Sequence, residues 1–483
     1  MPATGRQRQR ICFGVLASSI LAFSALQSLL VPVLAQIERD YDTDQSTVTW
    51  VLTAYLLSAS ILTPLIGRVG DSVGKRKMLV ITLVALSVGS AMAALAPSLG
   101  WLVAARVVQG AGGGVMPLSF GIIRDEFEDV RVSGAISMLA AIGSLGYGVG
   151  IVASGPIVSS LGLSWLFWLP MVTTCLAAAA AYRWIPDSPA RERRRLPLLP
   201  ALLLSTWLVA LLLALSQGNS WGWSSTRILG LVTIAALVAG LWITVELRAP
   251  VPMIDMHMMR LRGVWTSNVV TALLGFGMFA AFAFLPQLMQ TPSSAGYGFG
   301  SSISESGRLL LPSALAMFAV GFFTAPLVSR FGSRLVTAVG CTIGAASYVA
   351  IAFVHDHPWQ VSLFMTTVGV GVGLVFAVIA GVVVGSVPSS QTGVASGMNA
   401  NIRTIGGSIG AAVMAGVVTA HSTTAGFPSE SGYVIGFALL GAAMLAAAVA
   451  ALLLPDSHVQ PTDGPLRDAD NAELGMLPMG HTR

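Results

Sequence analysis

The stretch Pro64-Leu65-Ile66-Gly67-Arg68-Val69-Gly70-Asp71-Ser72-Val73-Gly74-Lys75-Arg76-Lys77 joins two long apolar runs, 47–67 and 77–97. A glycine-rich turn this tight lets two helices reverse direction with their ends close together. Asp71 can accept hydrogen bonds from helix N-termini or pair with a neighbouring Arg, and the basic residues hold the turn on one side of a membrane. Taken alone, it is an ordinary basic loop. Its first half is echoed, however, by Pro326-Leu327-Val328-Ser329-Arg330-Phe331-Gly332. Both copies end the second helix of a six-helix group. The alternative is chance likeness in an apolar chain of low complexity, and the matching topology favours a repeat over it.

Outward from that turn, apolar runs continue from 11–35 to 432–454, fourteen in all, at lengths that suit spanning helices rather than barrel strands. The third and fourth runs are separated by little more than Pro97 to Gly100, so a count of thirteen stays open. Of 483 residues, 54% are hydrophobic and 10% charged, against about 25% charged in soluble domains. With an N-terminus in the cytoplasm, only Arg39, Arg227 and Arg308 of the 26 Lys and Arg fall outside, and Arg106 and Arg403 fall within helices. The other 21, including the Arg191–Arg195 cluster, are cytoplasmic, as the positive-inside rule requires. The expected organisation is an all-α membrane protein. A cytoplasmic N-terminus (1–10) leads into a six-helix bundle (11–185), a linker with two extra helices (186–262), a second six-helix bundle (263–455) and a disordered cytoplasmic tail (456–483).

The net charge of +5 carries no argument for nucleic acid here, since the basic residues serve orientation. Cys12, Cys175 and Cys341 lie far apart in apolar stretches, with neither metal-ligand nor disulfide spacing. No cofactor is expected. The first run is too long for a signal peptide and lacks a cleavage pattern. An ATP-driven pump would need a Walker sequence and a nucleotide-binding domain, and the sequence has neither; a membrane-embedded acyltransferase would need a His–Asp or Ser–His grouping, and none falls within the apolar runs. Arg is used almost throughout in place of Lys, which hints at a GC-rich bacterium and so an inner membrane.

The 67–77 turn resembles the signature between the second and third helices of the major facilitator superfamily, with Gly67, Asp71, Gly74, Lys75 and Arg76 at its positions. In that family the loop is a gate that stabilises one state of the alternating cycle. Arg106-Val107-Val108-Gln109-Gly110-Ala111-Gly112 resembles the family's intramembrane Arg motif. Trp50-Val51-Leu52-Thr53-Ala54-Tyr55, Trp165-Leu166-Phe167-Trp168, and Asn399 through Arg403 to Gly406, Gly407 and Gly410 are similar to the fourteen-helix drug:proton antiporter branch. The resemblance runs from about residue 11 to 455. It implies a monomeric multidrug-efflux transporter moving a small molecule against protons, by rocking of two bundles in the lipid bilayer.

The fifth run carries Gly146, Gly150, Gly155 and Pro156. Small residues let helices approach closely, and Pro frees a carbonyl that bends a helix. The branch's antiporter motif has a Gly-Pro pair that aligns with Gly150-Ile151, so Pro156 comes later than the resemblance asks. A second departure is in the first helix, where Phe23 stands at the position of the branch's usual embedded Asp. Gln27 is the strongly polar side chain there.

Proton coupling ordinarily needs a group that titrates within the membrane. The nearest carboxylates are Glu305, and Glu38 with Asp40, each favoured as an interfacial charge. Arg106 and Arg403 are the deep cations. Their structural role would be donation to backbone carbonyls and to Gln109, Asn399 or Asn401, and their role in the resembling family is relaying substrate or proton occupancy. The two roles stand level for Arg106, and structure is favoured for Arg403. Fixed cations without a midplane carboxylate point to a neutral, zwitterionic or anionic substrate. Gln27, Tyr55, Tyr147, Asn268, Phe276, Phe279 and Asn399 are the candidates to line the cavity. A uniporter or a proton symporter of a small metabolite is the alternative function.

Overall fold

The computed structural model describes residues 5–43, 45–48, 50–187, 198–249, 252–420 and 428–455. The Arg191–Arg195 cluster and the expected 456–483 tail lie outside these residues. Twelve helices among the described residues are long and apolar enough to cross a membrane. In hydrocarbon every backbone polar group must be satisfied within the chain, which is why such segments fold as helices.

In chain order the main helices are α1 (Gly5–Ser28), α2 (Trp50–Val73), α3 (Lys75–Ala94), α4 (Leu99–Gln109), α5 (Val115–Glu126), α6 (Asp129–Leu161) and α7 (Trp165–Trp184). They are followed by α8 (Leu198–Trp221), α9 (Thr226–Arg248), α10 (Arg262–Gln290), α11 (Ile303–Phe353), α12 (Pro358–Gly385), α13 (Thr392–Ala420) and α14 (Glu430–Ala451). Fourteen apolar runs and twelve long helices differ in two places. Helices α4 and α5, of 11 and 12 residues, are separated by the 3-10 turn Gly110–Gly114. That turn passes close against α2: a Cβ on Gly110 would sit 2.5 Å from the Ser58 side chain. Helix α11 covers 51 residues, but Gly332 has φ 79° and ψ 157°, so two helices meet there at a kink.

The Gly332 kink also refines the repeat. In the first copy α2 continues through Gly70 to Val73, and the chain turns at Gly74 with φ 118°. In the second copy it turns at the glycine equivalent to Gly70. The four residues Asp71–Gly74 therefore belong to the first turn alone. Both turning residues have positive φ, which glycine adopts without a Cβ penalty.

Buried apolar side chains gather in two first-half clusters spanning Cys12 to Ile185 and one second-half cluster from Leu204 to Leu454. Among the described residues, Ile151 and Val384 are the buried core members that cross to the opposite half. Large apolar side chains also face outward; Leu176, Leu237 and Phe323 are 65%, 70% and 63% exposed, a pattern suited to lipid and not to water. Helix α8 pairs with α9 through the Trp207 and Trp242 rings, 5.9 Å apart. It also reaches the second half, where Asn219 Nδ2 donates to the Ala412 carbonyl of α13 at 3.3 Å.

The halves meet along two seams. In one, α2 lies on α13: Gly67 faces Gly393, Pro64 faces Gly397, and Asn401 Nδ2 donates to the Ser60 carbonyl at 2.7 Å. In the other, α6 lies on α11, with Gly134, Ala141, Gly148 and Gly155 facing Ala325, Gly321, Ala314 and Ser304. Those α6 positions recur every seven residues, the repeat at which two helices keep one face in contact.

Candidate functional site

At the end of the molecule where α2 turns into α3, three buried charges cluster. Lys75 Nζ lies 2.8 Å from Asp125 Oδ2 and 3.8 Å from Asp71 Oδ1, and it donates to the Gly121 carbonyl at 3.3 Å. Asp71 is held against the first turn of α13. A Cβ on Gly393 would sit 3.0 Å from Asp71 Oδ2, and the Val394 amide interacts with the carboxylate, short of full hydrogen-bond geometry. An acid is favoured at that position because the free N–H groups of a helix start carry partial positive charge. Arg124 of α5 closes the same end from the other side. Its Nη1 donates to the Val384 carbonyl at 2.5 Å and to Thr392 Oγ1 at 3.0 Å, both in the second half. Arg76 pairs with Asp187 at 2.7 Å on the surface, and Arg68 donates to the Pro252 carbonyl at 3.1 Å. The sequence singled out Gly67, Asp71, Gly74, Lys75 and Arg76 here. It missed Asp125 and Arg124, whose Arg-Asp-Glu run at the end of an apolar stretch is their only signal.

Arg106 is fully buried in the first half. Its Nε donates to the Val51 carbonyl at 3.2 Å, and its Nη1 to Gln109 Oε1 at 2.6 Å. Gln109 Nε2 in turn donates to Ser90 Oγ at 3.0 Å, and the guanidinium lies 4.3 Å from the centre of the Tyr55 ring. These partners come from α2, α3 and α4, so one side chain ties three helices together. Among the described residues no carboxylate pairs with it.

Between the halves lies a cavity with about 100 Å³ open to the centre of a water molecule. Polar lining comes from Ser24 and Gln27 on α1, Tyr55, Ser60 and Thr63 on α2, Ser144 and Tyr147 on α6, and Asn401, Arg403 and Thr404 on α13. Phe23, Met116, Met278, Phe279, Phe282 and Phe376 supply most of the apolar wall. The Tyr147 and Phe282 rings, from opposite halves, are 5.3 Å apart. A few polar groups in an apolar wall is the usual make-up of a small-molecule site. The volume holds several waters but falls short of the roughly 300 Å³ or more of drug-sized pockets, so a larger occupant has to widen it.

Of the expected lining residues, Gln27, Tyr55, Tyr147 and Phe279 come together at this cavity. Asn399 lines a smaller cavity beside it, with Nδ2 donating to Asn268 Oδ1 at 2.9 Å and to Thr271 Oγ1 at 3.0 Å. That pair satisfies Asn268 away from both cavities. Phe276 is packed with its carbonyl against Gly410 of α13. Phe23, which replaces the branch's usual acid, is part of the wall. The polar residues missed (Ser24, Ser60, Thr63, Ser144, Asn401, Thr404) carry a signal in hindsight: 24 and 27, 60 and 63, 144 and 147, and 401 and 404 are polar pairs at helical spacing.

The glycines of α6 divide between two faces. Gly146 and Gly150 meet α1, where a Cβ would strike the Leu21 and Ala25 carbonyls, while Gly155 meets Ser304 on α11. Pro156 is exposed within the helix. Glu305 is exposed too and belongs to a capping box at the start of α11: it accepts from the Ser302 backbone at 2.8 Å, and Ser302 Oγ accepts from the Glu305 amide at 3.2 Å.

The chain matches the family model described as Major Facilitator Superfamily over residues 16–411 and 269–475. It is 27% identical over 427 residues to the multidrug transporter protein MdtP of Bacillus subtilis, covering 87% of this chain and 78% of that one. It is 28% identical to the methylenomycin A resistance protein of Streptomyces coelicolor, covering 92% of each, and 27% identical to a uridine/deoxyuridine transporter of Lactococcus lactis, covering 91% and 93%. The crystal structure of the human organic anion transporter MFSD10 (TETRAN) superposes with a TM-score of 0.65 over 93% of this chain and all of that one, at 16% identity, a likeness of fold alone. With apolar helices, a cavity between two halves and a family match across most of its length, the chain belongs to the Major Facilitator Superfamily and is a membrane transporter, not an enzyme.

Proposed function

We propose that this transporter exports a hydrophobic small molecule from the cytoplasm in exchange for protons, by alternating access around the central cavity. The observation that carries the reading is the cavity itself. It lies between the halves, apolar with a few polar groups, and the α2–α13 seam with its charged cluster closes one end. Relatives named for multidrug transport and antibiotic resistance support export of an apolar compound.

In this reading the chain crosses the bilayer fourteen times. Helices α4 and α5 form one interrupted span, and α11 forms two that meet at Gly332. Six-helix bundles over 11–185 and 263–455 then flank the α8–α9 pair in the 186–262 segment. The charge pattern supports placing both termini, and the Asp71–Lys75–Asp125 cluster, on the cytoplasmic side of an inner membrane. The protein works as a monomer.

A second reading is uniport or proton symport of a small metabolite. It is favoured by the cavity lining, which includes no Asp, Glu or His, and by the uridine transporter among the relatives. Proteoliposomes separate the two. In an antiporter, an acid interior drives substrate uptake against its gradient, and dissipating the pH difference with nigericin and potassium stops it. Uptake indifferent to pH gradients establishes uniport, and uptake driven by an acid exterior establishes symport; either overturns the antiport reading.

A further inference from the structure

Arg403 stands where two cavities meet. The central cavity and the smaller one share Met116, Phe376, Ala400 and Arg403 in their linings, so these four side chains form the partition between them. The guanidinium lies 4.6 Å from the centre of the Phe376 ring. Among the described residues it makes no hydrogen bond and no ion pair. The neighbouring polar side chains are oriented by other partners, and none of their oxygens comes within hydrogen-bonding reach of the guanidinium. Asn401 donates to the Ser60 carbonyl, Asn399 to Asn268 and Thr271, and Thr404 Oγ1 to the Ala400 carbonyl. No carboxylate lines either cavity.

The backbone that carries Arg403 is pinned. A Cβ on Gly275 would press on the Arg403 carbonyl, and Cβ atoms on Gly406 and Gly410 on the Ala272 and Phe276 carbonyls, so α10 and α13 are in backbone contact at Arg403 and for two turns beyond it. The side chain is therefore the part free to respond to a ligand. The other deep cation, Arg106, sits behind the Tyr55 ring that faces the cavity and adds to the positive potential there. A guanidinium without a protein partner inside the membrane is costly, and a ligand that brings a negative charge removes part of that cost.

We propose that Arg403 is the anion-binding residue of the central cavity, and that the transported molecule is an amphipathic organic anion. Its apolar body lies on Phe23, Phe279, Phe282 and Met278, and its sulfonate, carboxylate or phenolate head takes the guanidinium from Phe376. Because Arg403 and Phe376 are two of the four side chains of the partition, the same exchange loosens the barrier between the two cavities. This inference rests on the reading of the central cavity as the transport site.

Purified full-length protein in detergent tests it with three pyrenes of matched shape: the permanent anion 1-pyrenesulfonate, neutral 1-pyrenemethanol, and the cation 1-pyrenylmethyl-trimethylammonium. Binding is read by energy transfer from tryptophan. The wild type should bind the anion about tenfold or more tighter than the cation, as a hydrogen bond to a charged group implies. Arg403→Gln should cost the anion a similar factor and move the neutral probe less than twofold, and Arg403→Lys should keep the anion preference. Equal or tighter binding of the cation overturns the proposal, as does an Arg403→Gln variant, monodisperse and of unchanged melting temperature, that weakens all three probes alike. Ser144→Trp, which fills the cavity, should abolish binding of all three. If it leaves them unaffected, the cavity reading itself falls and this proposal with it. If Ser144→Trp acts as expected and Arg403→Gln does not, only the anion assignment falls.

Discussion

Replacing Gly67 by Ala should hold the α2–α13 seam open. The added Cβ would lie 2.6 Å from the Gly393 carbonyl oxygen and 2.8 Å from its carbon, both backbone atoms. Ordinary contact begins at 3.4 Å, so the oxygen is 0.8 Å too close, and no side chain can rotate to make room. One turn further along, Pro64 and Gly397 are nearly as tight, with a Gly397 Cβ 3.1 Å from the Pro64 Cα. The strain is therefore relieved by spreading the helices at the Gly67 end. Overpacking of this kind costs about 1–3 kcal/mol. A conformer with the seam already open does not incur it, so the equilibrium between closed and open should shift by about 5- to 150-fold. Spin labels on exposed Val73 and Ser390, in a background with Cys12, Cys175 and Cys341 replaced by Ser, report the distance across this end. The variant should show a second, longer distance population and a slower transport cycle. Gly14→Ala, whose Cβ meets nothing within 4 Å, is the matched control and should leave the distribution unchanged. A Gly67→Ala protein with the wild-type distribution and wild-type transport would refute the idea that this contact sets the closed state.

Two further substitutions separate buried from exposed charge. Lys75→Met leaves Asp71 and Asp125 without their shared cation, and breaking a buried pair costs about 3–5 kcal/mol, so its melting temperature in detergent should fall clearly. Arg76→Met, which breaks a pair whose Asp187 side chain is 84% exposed, is the comparison and should hardly move it. Glu305→Gln should leave the response of transport to an imposed pH gradient unchanged, because its carboxylate caps α11 at the surface; loss of the pH response in that variant would return Glu305 to the coupling path.

The helical membrane fold was legible because it depends on run length and on where charge is absent, both local properties. The α2–α3 turn and its second-half echo were legible for the same reason: proline, glycine and arginine mark helix ends wherever they fall. Pairing across helices was not. From spacing alone, Arg403 was expected to find Asn399 or Asn401. On a helix, a residue two positions away points about 200° around the axis, which takes Asn401 out of reach. Asn399, four positions away, is on the right face, but its Nδ2 donates to Asn268 and Thr271 on α10, and that fixes the side chain toward α10. Nothing local to α13 encodes that competition. Phe276 and Phe279 make the same point. They sit about 60° apart on the helix, yet Phe279 lines the cavity while the Phe276 backbone is taken up by Gly410.

Helix α6 gathers glycine for two different purposes, and the difference bears on how the halves would move. Toward α1, Gly146 and Gly150 sit over backbone carbonyls, and Ser28 Oγ on α1 donates to the Tyr147 carbonyl at 2.6 Å, a contact both tight and directional. Toward α11, the residues at 134, 141, 148 and 155 meet Ala325, Gly321, Ala314 and Ser304, three of them without a side-chain hydrogen-bonding group. A surface of small side chains holds two helices close without fixing one register. The α2–α13 seam is the opposite case, with the Asn401–Ser60 hydrogen bond, the Asp71 carboxylate at a helix start and backbone at contact distance. In the alternating-access reading, α6–α11 is then the fulcrum, α2–α13 the latch, and the α6–α1 contact is inside a body that moves as one. A substitution at Gly148 and one at Gly150, two residues apart on one helix, act on different things: the first on the motion between halves, the second on the integrity of a single half.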